Sequence, residues 1–457
     1  MEFDAVILAR LQFAFTIAFH ILFPALTIGL GAFLVLVEGL WLATGDRAYE
    51  LLYKFWTKVF ALAFGMGVVT GVVLSYEVGT NWSRFADVTG NILGPLLSYE
   101  VLSAFFLEAG FVGIMLFGWN RVGPRMHFFA TAMVAFGTLV SAFWILAANS
   151  FMQTPAGYRL EDGRLFVESW SAIIFNPSQP TRFAHMVLAS YVTAMFVVAG
   201  VSALHLLTDR PPWLARRAQA IAIAALAILV PLQIFVGDAS GLVAEKYQPA
   251  KVAAFEGRWE TMAGAPLLLF ALPDQSAEMN HFELGVPKLA SLILTHSLDG
   301  EVRGLKEFLP ADRPHVAIVF WAFRVMVGIG ALMLLVTVWS LLWWLRGRMH
   351  ESGLLLAVQV GMAPLGFVAT LAGWTAAEAG RQPWVVYGVL RTLDAASPAP
   401  LASVATSFAL FVVVYNVLLA AYVYFLTKLV WRGPDDSVEL PSHVMPAAAK
   451  RAAMPAE

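Results

Sequence analysis

Nine apolar runs, each long enough to cross a lipid bilayer, dominate the chain and constrain its fold more than any other feature. They lie near residues 13–41, 52–78, 92–117, 127–149, 182–206, 216–237, 315–346, 354–376 and 404–431. About 20 apolar residues in helical form cross a hydrocarbon core, where a helix satisfies its own backbone hydrogen bonds. The runs predict an all-α integral membrane protein, a bundle of nine transmembrane helices forming a single membrane domain over 1–457. A water-soluble fold is excluded, because 59% of residues are apolar and only 13% charged, against roughly 25% charged in soluble proteins. A net charge of −2 gives no footprint for nucleic acid. The absence of cysteine excludes thiolate metal centres, iron–sulfur clusters and thioether-bound haem. The first run is too long for a signal-peptide core and has no small-residue cleavage site, so it is read as a span.

Lysine and arginine concentrate in alternate connections: Arg47 and Lys54; Arg121 and Arg125; Arg210, Arg216 and Arg217; Arg346 and Arg348. This bias places the N-terminus in the periplasm and the C-terminus, with a tail over 436–457, in the cytoplasm. The one long soluble connection, 238–314, then falls outside. Its stretch AEKYQPAKVAAFEGRWET has a helical rhythm interrupted at Pro249.

Ionisable groups inside such spans are costly and mark sites or proton paths. His20 follows Arg10 by ten residues, roughly 15 Å into the membrane. His185 lies just inside the outer start of the fifth run, Met326 some ten residues into the seventh, and Glu378 at the outer end of the eighth. Four candidate iron ligands thus converge on the outer half of the bilayer. A His/Met pair makes a six-coordinate, low-spin haem, whereas a lone His or Glu leaves an axial position open. Each has an ordinary alternative: a helix–helix hydrogen bond for a histidine, packing for Met326, an interfacial carboxylate for Glu378. Trp374, Glu378 and Arg381 stand at i, i+4 and i+7, one stripe that suits a porphyrin or an interfacial anchor. Arg324 and Met326 are ~200° apart around a helix and cannot point alike. Glu100 and Glu108 are separated by about 12 Å of rise and ~80° of turn, suiting either an inward proton relay or two neutral structural carboxyls. Glu38 and Glu77, nearer span ends, are expected at the interface.

The stretches RLQFAFTIAFHILF, SYEVLSAFFLEAGFVGIMLFGW, SAFWILAANSFMQTP, RFAHMVLASYV, QPAKVAAFEGRWET, FWAFRVMVG and GWTAAEAGRQPW occur in this order. On these the chain resembles subunit I of the bacterial cytochrome bd-type quinol oxidases over essentially its whole length. The resemblance implies a bacterial inner-membrane enzyme that oxidises quinol outside and reduces dioxygen to water with cytoplasmic protons, generating proton-motive force without pumping. It implies His185 and Met326 as ligands of a low-spin haem b. His20 and Glu378 would serve a high-spin haem b and a haem d, or a further high-spin haem b. Arg10, Trp374 and Arg381 would sit beside the high-spin haems, and Arg324 beside the low-spin one. Glu100 and Glu108 would carry protons, and Lys251, Glu256 and Asp238 would bind ubiquinol or menaquinol. A second helical membrane subunit and a small accessory chain are the implied partners, within membrane lipid. The brevity of 238–314 resembles the short-loop, cyanide-insensitive group. Two rivals are a haem-b quinone-linked carrier without oxygen chemistry and a proton-coupled transporter. The second would usually show paired broken helices or inverted repeats, which the sequence lacks.

Overall fold

The computed structural model describes residues 4–208 and 212–434; Arg210 and the tail 436–457 lie outside the described residues. Among the described residues, nine helices are long and apolar enough to cross a membrane. They are α1 (Ala5–Thr44), α2 (Arg47–Asn81), α3 (Ser83–Phe117), α4 (Pro124–Gln153), α5 (Gln179–Leu207), α6 (Pro212–Tyr247), α7 (Val316–Leu345), α8 (Gly353–Ala379) and α9 (Leu401–Arg432). Each expected run is present, and every helix but α7 extends beyond the run expected for it. Asp4 accepts from the Ile7 amide to start α1, Gly45 ends it in the left-handed region, and Asp46 caps α2 at once. Helix α8 is interrupted at Ala363–Pro364, where proline cannot donate to the ladder.

Helices α1 and α5 are the most enclosed, and α9 lies at the rim. Helices α5, α6, α7 and α8 pack in a closed ring, α5 on α6, α6 on α7, α7 on α8 and α8 on α5. Helix α1 packs on α2, α4, α5, α8 and α9.

Two expectations need correction. Asp238 is not in the long connection. Helix α6 continues through it to Tyr247 and stops where Gln248, preceding Pro249, leaves the α region (φ −141°, ψ 58°). The all-α bundle is as expected, with small antiparallel sheets only in its connections. Strands β1 (Tyr158–Glu161) and β2 (Arg164–Val167) join through Asp162 and Gly163, both at positive φ, the hairpin turn that Asp-Gly favours. Strands β3 (Leu267–Asp274) and β4 (Met279–Val286) form a second hairpin in the long connection. Lastly, Glu38 and Glu77 are not interfacial but buried, at 0% and 1% exposure. Glu38 is held by His127 of α4, with Oε1 and Nδ1 2.7 Å apart. His127 Nε2 lies 3.2 Å from the Met115 carbonyl.

Candidate functional site

Helix α3 contains a π turn at Val101–Phe105, where the Phe106 amide bonds to the Val101 carbonyl. A π turn absorbs one extra residue. It therefore changes the ~80° offset between Glu100 and Glu108 to about −20°. Both carboxylates accordingly face α4. Glu100 accepts from Ser141 at 2.7 Å, and Glu108, itself buried, packs on Gly137, one turn away. A Cβ at Gly137 would stand 2.5 Å from Glu108 Cγ.

His20 on α1 meets Thr70 of α2, Nδ1 lying 2.9 Å from the hydroxyl oxygen. Thr70 donates its own proton to the Met66 carbonyl at 2.8 Å. Its oxygen is thus left to accept from Nδ1–H, and Nε2 keeps the lone pair that a metal needs.

In the four-helix ring, His185 of α5 sits under the Gln233 amide of α6, 3.3 Å from Nδ1. Gly237 of the same helix leaves its ring edge uncrowded, since a Cβ there would stand 3.3 Å from Cε1. Met326 of α7 presses its sulfur against α8 at Gly373, 2.6 Å from where a Cβ would be. Met326 faces α8, whereas Arg324 faces the long connection and donates to Glu256 at 2.8 Å.

Glu378 at the end of α8 is the centre of the densest polar cluster. It accepts from Asn149 and Gln153 of α4, each at 3.0 Å, and from Arg381 at 2.5 Å; Arg182 of α5 stands 3.9 Å away. Arg381 lies past the end of α8 and reaches Glu378 by folding back, so the expected stripe holds only Trp374, half-buried, and Glu378. Arg10 is exposed and donates to Gln382, the neighbour of Arg381, at 3.3 Å.

Lys251 belongs to this cluster as well. It sits on the short helix Pro249–Phe255, is buried, and donates to Gln153 at 2.5 Å and to Gln248. Burial, then Arg182 and Arg381, push its amine well below the usual lysine range, with Glu378 pulling the other way. Lys251 and Glu256 therefore leave the same short helix toward different partners. Asp238 is exposed on α6, next to Gly237.

Residues 8–434 match the family described as Cytochrome bd terminal oxidase subunit I. The chain belongs to this family. It is 36% identical to the cytochrome bd-II ubiquinol oxidase subunit 1 of Escherichia coli, covering 94% of this chain and 97% of that one. It is also 36% identical to the cytochrome bd ubiquinol oxidase subunit 1 of Bacillus subtilis, with 94% of each chain covered. The solved bd oxidase from Geobacillus thermodenitrificans superposes with a TM-score of 0.88 at 31% identity, covering 94% of this chain and 99% of that one. With its nine apolar helices, the chain is a multi-pass protein of the bacterial inner membrane.

Membership of the cytochrome bd family implies haem, and the residues present fit it. His20 offers a free Nε2, and His185 and Met326 come from opposite corners of one helix ring. Arg381 keeps Nε and Nη1, and Arg324 keeps Nε, buried without partners among the described residues. Buried N–H groups in this state await acceptors, and the propionates of a porphyrin are acceptors of the right charge. Sequence reasoning did not find Arg182, Asn149 or Gln153 as neighbours of Glu378. Arg182 precedes His185 by three residues, a spacing that puts both on one helix face and could have drawn attention to it.

Proposed function

We propose that this chain is the haem-bearing subunit of a quinol oxidase that takes electrons from quinol on the periplasmic side and reduces dioxygen with protons from the cytoplasm. As an enzyme it is a quinol:dioxygen oxidoreductase. The observation that carries the reading is the short helix Pro249–Phe255, followed at once by Glu256. It reaches the Glu378 cluster through Lys251 and the four-helix ring through Glu256 on Arg324. A substrate-facing connection is thereby joined to two separate polar sites inside apolar spans.

The bound haems supply the electron transfer and the dioxygen chemistry. His185 and Met326 would hold the low-spin haem b; His20 and Glu378 would hold the high-spin haem b and the haem d or second high-spin haem b. Arg381, Arg324, Trp374 and Arg10 would orient them. Glu256 accepts a quinol proton as general base, its carboxylate positioned by Arg324; Lys251 and Asp238 flank that region of chain. Glu108 and Glu100, side by side on α3 and facing α4, deliver protons inward. Protons released on one side and consumed from the other generate proton-motive force without pumping. A second helical subunit and a small accessory chain complete the enzyme in the lipid bilayer. The brevity of the long connection supports a place in the short-loop, cyanide-insensitive group.

Reduced-minus-oxidised and carbon-monoxide difference spectra of the purified protein test the reading. Low-spin and carbon-monoxide-reactive high-spin signals together support it. A single low-spin signal would make the chain a quinone-linked carrier, and no haem signal would overturn the proposal.

A further inference from the structure

Glu77 of α2 is buried at 1% exposure, and neither carboxylate oxygen has a hydrogen-bond partner among the described residues. A carboxyl kept in this state inside apolar helices marks a proton site more often than a packing role. Its surroundings are neutral. Thr16 of α1 lies beside it with its hydroxyl donated to the Gln12 carbonyl at 2.9 Å. One turn further, Gln12 accepts from Asn81 and from Ser407 of α9, each at 3.1 Å. The titratable group facing Glu77 is Tyr415 of α9, whose buried hydroxyl also lacks a partner. Helix α3 brings the exposed Arg84 and Asp87, the latter paired to Arg164. Helix α6 reaches α2 through Arg217 on Tyr49 and Asp46, at the opposite end.

The line of these groups leads to His20. Thr16 precedes His20 by one turn on α1, and Thr70, which holds His20, lies on the same side of α2 as Glu77, about 10 Å along the helix. We propose that Glu77 is the proton site coupled to reduction of the haem held by His20. The inference rests on the reading of His20 as a haem ligand. An electron supplied by quinol adds negative charge in a poorly screened interior, which an ionised carboxylate opposes and a protonated one does not. Linkage is reciprocal, so reduction draws one proton from solvent at the Asn81 end onto Glu77, and the midpoint potential falls as pH rises.

Spectroelectrochemical titration of the purified oxidase at several pH values tests this on the high-spin component that His20→Ala removes. In Glu77→Gln that component loses its pH dependence and stays at the acid limit of the wild type, because the amide is neutral like the protonated acid. The protonated-carboxyl band in the redox-difference infrared spectrum disappears with it, while Glu77→Asp keeps a pH slope. An unchanged slope in Glu77→Gln, with the haem still lost in His20→Ala, overturns the inference alone. A slope lost equally in Glu77→Asp also overturns it, by making the position a packing one. High-spin signals that all survive His20→Ala overturn the ligand reading beneath it.

Discussion

Arg324 donates to Glu256 across 2.8 Å, with both side chains almost closed to solvent. Their sequence neighbours Phe323 and Phe255 stack beside them, centroids 4.5 Å apart and planes within 2°. Four residues in two adjacent pairs therefore clamp the long connection onto α7. The clamp fixes a candidate quinol base against Arg324, which lies two residues of chain from the candidate ligand Met326.

Glu256→Gln should slow quinol oxidation by about 100-fold, the lower range for loss of a general base, with haem spectra intact. Quinol turnover and turnover with an artificial donor that bypasses the connection are the paired measurements. Equal losses in both would remove Glu256 from the quinol site.

Lys251→Met should alter the high-spin spectrum more than quinol affinity. The amine is buried and donates to Gln153, which itself donates to Glu378, so its removal loosens a side chain that holds Glu378. A variant with normal spectra and a raised quinol KM would return Lys251 to quinol binding.

His185→Ala and Met326→Leu should each abolish the low-spin signal and leave carbon monoxide binding largely intact. The two side chains come from α5 and α7, at opposite corners of one helix ring. Spectra of the purified variants decide it, and an unchanged low-spin band would exclude the residue concerned.

Glu108→Gln should leave haem spectra and electron entry normal while cutting steady-state oxygen consumption, since an amide cannot pass a proton. Gly137→Ala should reproduce part of the defect, because its Cβ would stand 2.5 Å from Glu108 Cγ. Stopped-flow reaction of the reduced enzyme with dioxygen separates slow proton delivery from slow electron entry. Normal turnover in Glu108→Gln would end the relay reading.

Glu38→Ala should destabilise the bundle by about 3–5 kcal/mol, the usual result of removing one partner of a buried pair. Thermal unfolding of the detergent-solubilised protein would report it. A change within about 0.5 kcal/mol, as at an ordinary surface site, would show that His127 finds another partner.

The spans were readable because each apolar run exceeds what a soluble helix needs, and His20, His185 and Glu378 stood out as polar exceptions within them. The divergence of Arg324 from Met326 follows from helical period alone. What one-dimensional spacing could not supply was long-range closure. His127 is 89 residues from Glu38, and Asn149 is 229 from Glu378. Arg381 fits the stripe only if α8 continues, and the helix stops at Ala379. The π turn has no side-chain signature, so counting at 100° per residue misplaced Glu100 relative to Glu108. The Asp-Gly pair at 162–163 was a legible hairpin signal overshadowed by the apolar runs.

The π turn also limits how this chain can change over evolutionary time. Surface connections tolerate gain or loss of residues because their ends barely move. Within 101–105 the loss of one residue would restore regular winding and keep both carboxylates on the α4 face, seven residues and about −20° apart, whereas the gain of another would rotate the Ser83 side of the helix by about 100°. With such a gain Glu100 would turn away from Ser141 while Glu108 stayed against Gly137. Descendants of this protein can therefore exchange letters in that segment, or lose one, but they cannot add to its count.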